Sequence, residues 1–416
     1  MPPELTAALL RAAGSDRLAL VGGAVRDWLL HRVHNDPWRG VPDLDLVVEP
    51  AGAIGAAEPV PAAHRLARAL RASLGAEGVP YYQEHSAYGT VELEVRLAEG
   101  PLLLDVASAR RETYPVAGEN PVVSFGRLED DLARRDFTIN AMALRLAPDG
   151  GGVLHDPHGG QVDLEQRQLR FLHPHSVRDD PTRVVRAARY AARLGFHLAA
   201  DAQAQLDRTL EAWPWAWRPG EPPGGAPAAL GTRLRMELEL LLEREAWPRA
   251  LAALQSWGGL RLLDGALQAD GSWWRRLRWA ARLGLPLLPA LLAGAAEPLP
   301  LAERLQLPHR QHRLLAQFLQ LRGRLAGAQE RDLPGDPAAW CALLEAPGTA
   351  PEAIALALAS GIGPRRPLLR WWLLWRHLRS ERSAAELIAT EGIAPGPALG
   401  ERLRQLRRER LARLKP

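Results

Sequence analysis

Over the first 145 residues, apolar and polar positions switch between two periods. Leu18 to Val21 is a short apolar run that ends at Gly22-Gly23, after which Ala24, Val25, Trp28 and Leu29 recur at helical spacing. That pattern predicts a strand, a glycine turn and a helix. Leu44 to Val48 is a second apolar run, interrupted by Asp45; Val91 to Leu97 alternates in the strand period; Leu102 to Val106 is apolar around Asp105. His64 to Leu74 reads as another helix. From about residue 180 the strand signal stops. Asp180-Pro181 suits a helix start, because aspartate caps and proline fits the first turn. This helix runs through Val184, Val185, Ala188 and Ala192 to Leu194, and Gly195 closes it. Residues 213–228 hold three tryptophans, five prolines and three glycines, the composition of a loop or linker. Thr232 to Glu245 is helical again, and the remainder is rich in Leu, Ala, Arg and Trp, with breaks near Gly284–Pro289, Pro298–Pro300, Leu333–Pro337 and Gly361–Pro364. The expected class is α+β: a mixed α/β head followed by a long all-helical body.

Composition narrows the classes. The chain has 416 residues, 47% apolar and 24% charged, which excludes a wholly disordered chain, a collagen and a disulfide scaffold. Its longest apolar run, Leu283 to Ala296, is 14 residues with two prolines inside, too short and broken to span a bilayer. The N-terminus shows no basic region followed by an apolar one, so no signal peptide is expected. Cys341 is the single cysteine, which excludes an internal disulfide and a cysteine-based zinc site. A cytoplasmic protein with no membrane partner is the expectation.

The net charge is +4, and it is local. Residues 401–416 carry seven basic groups against Glu401 and Glu409, so the rest of the chain sums to −1. Lys415 is the only lysine. Arginine binds phosphate bidentately and stacks on bases, but with alanine, glycine and proline equally inflated its near-monopoly reads first as the imprint of a GC-rich genome. The clustered basic tail still points to a polyanion.

Several features of the head fit one chemistry. A glycine turn opening a helix lets backbone N–H groups approach a phosphate, with the helix dipole assisting, and Arg26 stands one turn in. Asp43 and Asp45, spaced D-x-D on a strand, share one face. Two carboxylates so placed favour a bound cation, and hard Mg²⁺ prefers such oxygens with phosphate completing its shell. Asp105, on its own apolar strand, offers a third. The set suits two-metal phosphoryl transfer. Each part has a plain structural reading, a simple turn or a solvated strand edge; the ordered combination is what carries the chemistry. Arg134-Arg135-Asp136-Phe137-Thr138-Ile139-Asn140 is either an ion network at a hinge or a direct ligand set. His155 and His158 form an H-x-x-H beside an Asp-Pro turn, a weak metal signal, and the tryptophans at helical spacing (Trp273, Trp274, Trp279, Trp371, Trp372, Trp375) read as core.

Taken together, Gly22–Asp27, Asp43-Leu-Asp45, Tyr88-Gly89-Thr90, Asp105 through Arg110 to Glu112, Arg134–Met142, Asp156 to Gly160 with Asp163, and Asp180–Tyr190 resemble the class II tRNA nucleotidyltransferase family. That family comprises the CCA-adding enzymes and their CC-adding, A-adding and bacterial poly(A) polymerase relatives. Glu391 to Pro397 also resembles the family's tail. The resemblance implies a polymerase-β-like head over 1–145, a neck with the base-reading helix over 146–212, a helical body over 213–330 and a tRNA-binding tail over 331–416. It implies template-independent addition of CMP and AMP, from CTP and ATP, to the tRNA 3′ end, with two Mg²⁺ ions held by Asp43 and Asp45, and Asp105 as a less secure third ligand. Gly22, Gly23, Arg26 and Arg110 would contact the nucleotide. Base choice would fall to Asp180 and Arg183, with Arg186 and Arg189 reaching base or triphosphate. The chemistry is sound independently: cytosine and adenine each present an amino donor beside a ring-nitrogen acceptor, which a carboxylate and a guanidinium satisfy. Guanine and uracil present the reverse and leave buried groups unpaired.

The family often has an acidic residue where this chain has Thr232, while Glu237 matches. The segment Glu112 to Leu132 reads as a mobile loop, where CC-only and complete enzymes tend to differ. Rival readings are a CC-only, A-only or poly(A)-adding enzyme, and a catalytically dead RNA-binding protein on the same scaffold. Intact Asp43, Asp45, Arg26 and Asp180 argue against the last.

Overall fold

The computed structural model describes residues 1–38, 40–41, 43–52, 60–86, 88–212, 227–327 and 334–414. The linker expected over 213–228 lies almost wholly outside the described residues, as does Lys415. The described residues divide into two compact units, one holding everything up to 212 together with Pro227–Gly259, the other running from Leu260 onward.

The first unit is organised by a seven-stranded sheet in the order β3-β4-β5-β2-β1-β8-β9. Its strands are β1 (Arg17–Val21), β2 (Asp43–Glu49), β3 (Tyr81–His85), β4 (Thr90–Leu97), β5 (Gly100–Ser108), β8 (Ala143–Leu146) and β9 (Gly152–His155). The sheet therefore continues past residue 145. β2 and β5 run parallel, and the other neighbours are antiparallel. Alternation does the sorting. Leu44, Leu46 and Val48 of β2, with Leu104 and Val106 of β5, face a core closed by α1 (Pro3–Ala13) and α3 (Ala62–Gly78). The alternate positions face the other side, where Val21, Val47 and Ala143 meet Leu128 and Leu132 of α4 (Leu128–Ala133) in a smaller core. One half of that second face is left to the carboxylates.

The stretch expected as a loop between Glu112 and Leu132 is built instead from a hairpin, β6 (Arg110–Thr113) and β7 (Val122–Phe125), followed by α4. Pro115, Gly118 and Pro121 break the periodicity there, so the pairing had no readable run. Beyond the sheet come α5 (Gly160–Glu165), α6 (Ser176–Asp179), α7 (Thr182–Leu194) and α8 (Ala200–Glu211), then α9 (Ala228–Arg244) and α10 (Trp247–Ser256). Helices α9 and α10 both pack on α7. Gly195 ends α7 in the left-handed conformation, as its position predicts.

In the second unit the described residues from Gly265 form helices α11 to α20, which include α12 (Trp273–Arg282), α15 (His309–Gly327), α17 (Pro351–Ala359), α18 (Arg365–Leu373), α19 (Ala384–Glu391) and α20 (Pro397–Ala412). Every residue of α17 from Ala353 to Ala359 is buried, and α12, α15 and α18 pack around it, the arrangement expected of a helix apolar on all sides. Trp273, Trp371 and Trp375 are core, as expected, whereas Trp274 is 46% exposed. Four arginines of the basic tail are ion-paired. Arg402 pairs with Glu391, Arg407 with Glu345, and Arg410 and Arg413 with Glu381. Among the described residues no helix is long and apolar enough to cross a membrane.

Candidate active site

Asp43 and Asp45 sit two apart on β2, and the parallel register puts Asp105 of β5 directly beside Asp45. One oxygen from each of the three carboxylates lies within 4.8 Å of the others. Burial, then Asp45, Glu92 and Asp43, push the Asp105 carboxyl up to about 6. Burial also raises Asp45, opposed by Arg135 and reinforced by Asp43. Carboxylates crowded to this degree fit a hard divalent cation, which would remove the mutual repulsion and take oxygen ligands.

The glycine corner abuts this cluster. Gly22 has φ of +72° and ψ of −137°, and a Cβ built there would come 2.8 Å from Asp45 Oδ2 and 3.2 Å from Arg135 Nη1. Only glycine suits that backbone and that clearance. Gly23 opens α2 (Gly23–Arg32) with room to spare, its nearest neighbour being Arg26 Nη2 at 3.5 Å.

A cavity of about 440 Å³ opens over the carboxylates. Asp45, Asp105, Arg110, Asp180, Arg183 and Arg186 line it, joined by Glu92, Glu112, Tyr114, Arg134, Arg135 and Asp136. Of the expected nucleotide ligands, Gly22, Gly23, Arg26 and Arg189 are not among the residues that line it. Arg26 is 3% exposed and does not line the cavity. Its guanidinium donates to both carboxylate oxygens of Asp27 (2.8 and 2.9 Å) and to Asn140 Oδ1 (2.7 Å), and lies 5.1 Å from the centre of the Tyr190 ring. Helical geometry turns it inward, so it ties α2 to the Arg134–Asn140 segment and to α7. Arg189 donates to Glu237 Oε2 at 2.5 Å and pairs with Glu245, which draws it toward α9 rather than into the cavity.

The Arg134–Asn140 segment is an ion network, and three of its members also line the cavity. Asp131, fully buried, accepts from Arg134 (2.7 Å) and Arg135 (3.1 Å). Burial would raise its carboxyl, but the two guanidinium groups hold it below the ordinary value. Glu112 Oε1 accepts from Arg110 (3.0 Å) and Arg134 (3.0 Å), while Oε2 accepts from Tyr114 (3.1 Å). Asp136 Oδ2 accepts from Arg186 at 2.8 Å, and Arg186 also donates to Glu237 at 3.0 Å. Here too burial is outweighed, by Arg186, Asn140 and Arg183, and the Asp136 carboxyl stays low. Sequence reasoning gave Asp131 and Tyr114 no part; the only signal was the density of charge over Leu128–Arg135.

Asp180 precedes α7, and its Oδ1 accepts from the Thr182 backbone N–H (3.1 Å) and hydroxyl (2.7 Å). Arg183 is 4% exposed and donates to the Arg134 carbonyl oxygen at 2.9 Å. Its Nη1 lies 3.4 Å from His173 Nε2, and burial followed by the Arg183 charge pushes that imidazole down to about 4, keeping it neutral and able to accept. Steps of three along α7 bring Arg183, Arg186 and Arg189 to one side of the helix, with Glu237 of α9 accepting from the latter two. His155 lies 3.4 Å from Glu129 and joins no metal-binding cluster among the described residues.

Residues 18–170 match the Poly A polymerase head domain family. Over 368 residues the chain is 37% identical to a CC-adding tRNA nucleotidyltransferase of Deinococcus radiodurans, covering 86% of this chain and 85% of that one. An A-adding tRNA nucleotidyltransferase of Aquifex aeolicus is 39% identical over 194 residues, 47% of this chain but 20% of that protein. Among solved structures, the apo form II of a CCA-adding enzyme superposes with a TM-score of 0.69 over 99% of this chain and 93% of that one, at 24% identity. The fold, the motif order and the whole-length similarity agree: the chain belongs to the class II tRNA nucleotidyltransferase and poly(A) polymerase family.

Proposed function

We propose that this chain is a nucleotidyltransferase that extends the 3′ end of tRNA with cytidylate from CTP, building the CC of the CCA end. The observation that carries the chemistry is one cavity lined by Asp45 and Asp105, two members of the three-carboxylate cluster, together with Asp180 and Arg183. The whole-length likeness to a CC-adding enzyme supports the product. Complete CCA addition, with ATP as the second substrate, is the other reading, supported by the family-wide resemblance of the base-reading segment.

Asp43 and Asp45, with Asp105 beside them, would hold Mg²⁺. Bound divalent ions supply activation of the terminal tRNA hydroxyl and stabilisation of the departing pyrophosphate. The chain's own residues do the rest. The Gly22 corner would present its backbone beside the carboxylates, and Arg110, Arg134 and Arg135 bring positive charge to the cavity wall. Asp180 accepts from the cytosine amino group while Arg183 donates to the ring nitrogen. Uracil would leave both groups unpaired, and a site built to hydrogen-bond its substrate rejects a mismatched one by about 10⁴–10⁵.

The test is to incubate the purified protein, Mg²⁺, CTP and ATP with three tRNA transcripts, one lacking its CCA, one ending in CC and one complete, and to sequence the products. CC on the first and nothing on the others supports the CC reading. CCA on the first and A on the second replaces it with the complete enzyme, and long adenylate runs replace it with a poly(A) polymerase. Tight tRNA binding without turnover in Mg²⁺ or Mn²⁺, or full activity in Asp43→Ala/Asp45→Ala, ends the enzymatic reading.

A further inference from the structure

Asp180 does not stand alone at the mouth of α7. Its Oδ1 is fully engaged: besides the two bonds from Thr182, Arg233 Nη1 of α9 lies 3.1 Å away. Its Oδ2 accepts no hydrogen bond from any described residue. The other end of the same guanidinium is equally committed. Arg233 Nη2 donates to the carbonyl oxygen of Gly118 at 2.5 Å and lies 3.3 Å from that of Glu119, at the tip of the β6–β7 hairpin. A second tie binds the tip to the same place, because the Gly118 backbone N–H donates to the Asp179 carbonyl oxygen at 3.1 Å. Gly118 is buried with φ of +75°, so the tip is shaped for this contact.

We propose that Arg233 is a positioning residue for base choice. It clamps one oxygen of Asp180 and the hairpin tip with a single planar fork, and so leaves the other oxygen in a fixed rotamer to meet the amino group of the incoming base. This deepens the reading of Asp180 as the base-selecting acid and rests on it. The physics is that of preorganisation. A carboxylate free to rotate also swings its acceptor away from the amino group, and discrimination depends on a well-placed acceptor finding no donor in the wrong base. Lysine cannot substitute. Its ammonium is a point charge and cannot span two acceptors in the rigid geometry of a guanidinium.

The experiment compares wild type, Arg233→Ala, Arg233→Lys, Asp180→Ala and the Arg233→Ala/Asp180→Ala double variant. Arg235→Ala serves as control on the same helix, since Arg235 pairs with Glu239 instead. Single-nucleotide incorporation into tRNA lacking its CCA gives kcat and KM for CTP and for UTP. Arg233→Ala is expected to lower the CTP-to-UTP ratio of kcat/KM at least tenfold. Arg233→Lys should fold normally and lose nearly as much selectivity, and Arg235→Ala should keep the wild-type ratio. In the Asp180→Ala background, removing Arg233 should cost no further selectivity. A ratio within twofold of wild type in both Arg233 variants, or an equal additional loss in the double variant, overturns the assignment. Should Arg233→Ala fail to fold, the lysine variant alone decides. Equilibrium binding of CTP against UTP by the same proteins needs no turnover. Absence of tRNA extension by the wild type would therefore end the transferase reading, while the binding ratios still judge Arg233.

Discussion

The contact between the glycine corner and the carboxylates can be tested with one methyl group. Gly22→Ala places a Cβ at φ +72° and ψ −137°, a region that only glycine enters readily. Strain of about 1–3 kcal/mol follows, offset by about 0.4–1 kcal/mol from the stiffer unfolded chain. The net loss is thus about 1–2 kcal/mol, or a Tm decrease of about 2–4 °C for each kcal/mol. Activity should fall out of proportion to that. The new methyl would lie 2.8 Å from Asp45 Oδ2, whereas ordinary contact begins at 3.4 Å, so the carboxylate must retreat by roughly half an ångström. A misplacement of 1 Å in a catalytic constellation costs about 10²-fold, so half of that costs about tenfold in kcat, with a higher Mg²⁺ requirement. Gly23→Ala is the matched control: its Cβ would meet nothing nearer than 3.5 Å, and it should lose little of either quantity. Steady-state CMP incorporation across a Mg²⁺ titration, paired with thermal melts, reads both effects. If Gly22→Ala kept more than half of the wild-type kcat with an unchanged Mg²⁺ dependence, the corner would not be pressing on the acid and the reasoning would fail.

Other outcomes follow from the same geometry. Asp131→Asn leaves Arg134 and Arg135 without their buried partner and should cost about 3–5 kcal/mol, measured as a lowered urea midpoint at unchanged m-value. Glu237→Gln uncouples Arg186 and Arg189 from α9; it should destabilise the protein less, since Arg186 keeps Asp136, and should raise KM for CTP more than it lowers kcat. His173, depressed from 6.5 to about 4 by burial and then by Arg183, stays neutral in the folded protein while it protonates in the unfolded one. Its contribution is present in full above pH 6.5 and is lost as pH falls toward 4, so His173→Gln should narrow the gap between urea midpoints at pH 7.5 and pH 5; an equal gap would remove His173 from the acid response. Chelating Mg²⁺ with EDTA should abolish nucleotide incorporation, and adding Mg²⁺ back in excess should restore it.

Much of the site was legible because its chemistry is local. The D-x-D spacing on an apolar strand fixes a shared face for Asp43 and Asp45, and the Asp180-Pro181 start with three arginines at steps of three fixes one side of α7. What stayed hidden depends on partners far away in the chain. Asp105 could be offered as a third carboxylate from its apolar strand, but its place directly beside Asp45 comes from the parallel register between β2 and β5, which no strand carries by itself. Arg26 looks like a phosphate ligand in any window around Gly22; only the arrival of Asn140 and Tyr190 from more than a hundred residues downstream shows it is buried. That four arginines of the positive tail pair with Glu345, Glu381 and Glu391 is likewise invisible in a window of sequence. The hairpin over Arg110–Phe125 escaped because its strands are four residues each and proline and glycine separate them.

Helices α9 and α10 return after the linker to back the helix that reads the base. Both helices pack directly on α7, and the acid that holds two of its arginines comes from α9. A fragment trimmed at the end of α8 would leave Arg186 and Arg189 without that counter-ion and wet the apolar side of α7. Chimaeras that exchange catalytic halves between relatives therefore need their seam after Gly259; cut any earlier, the donor half would arrive without the scaffold that keeps its reader straight.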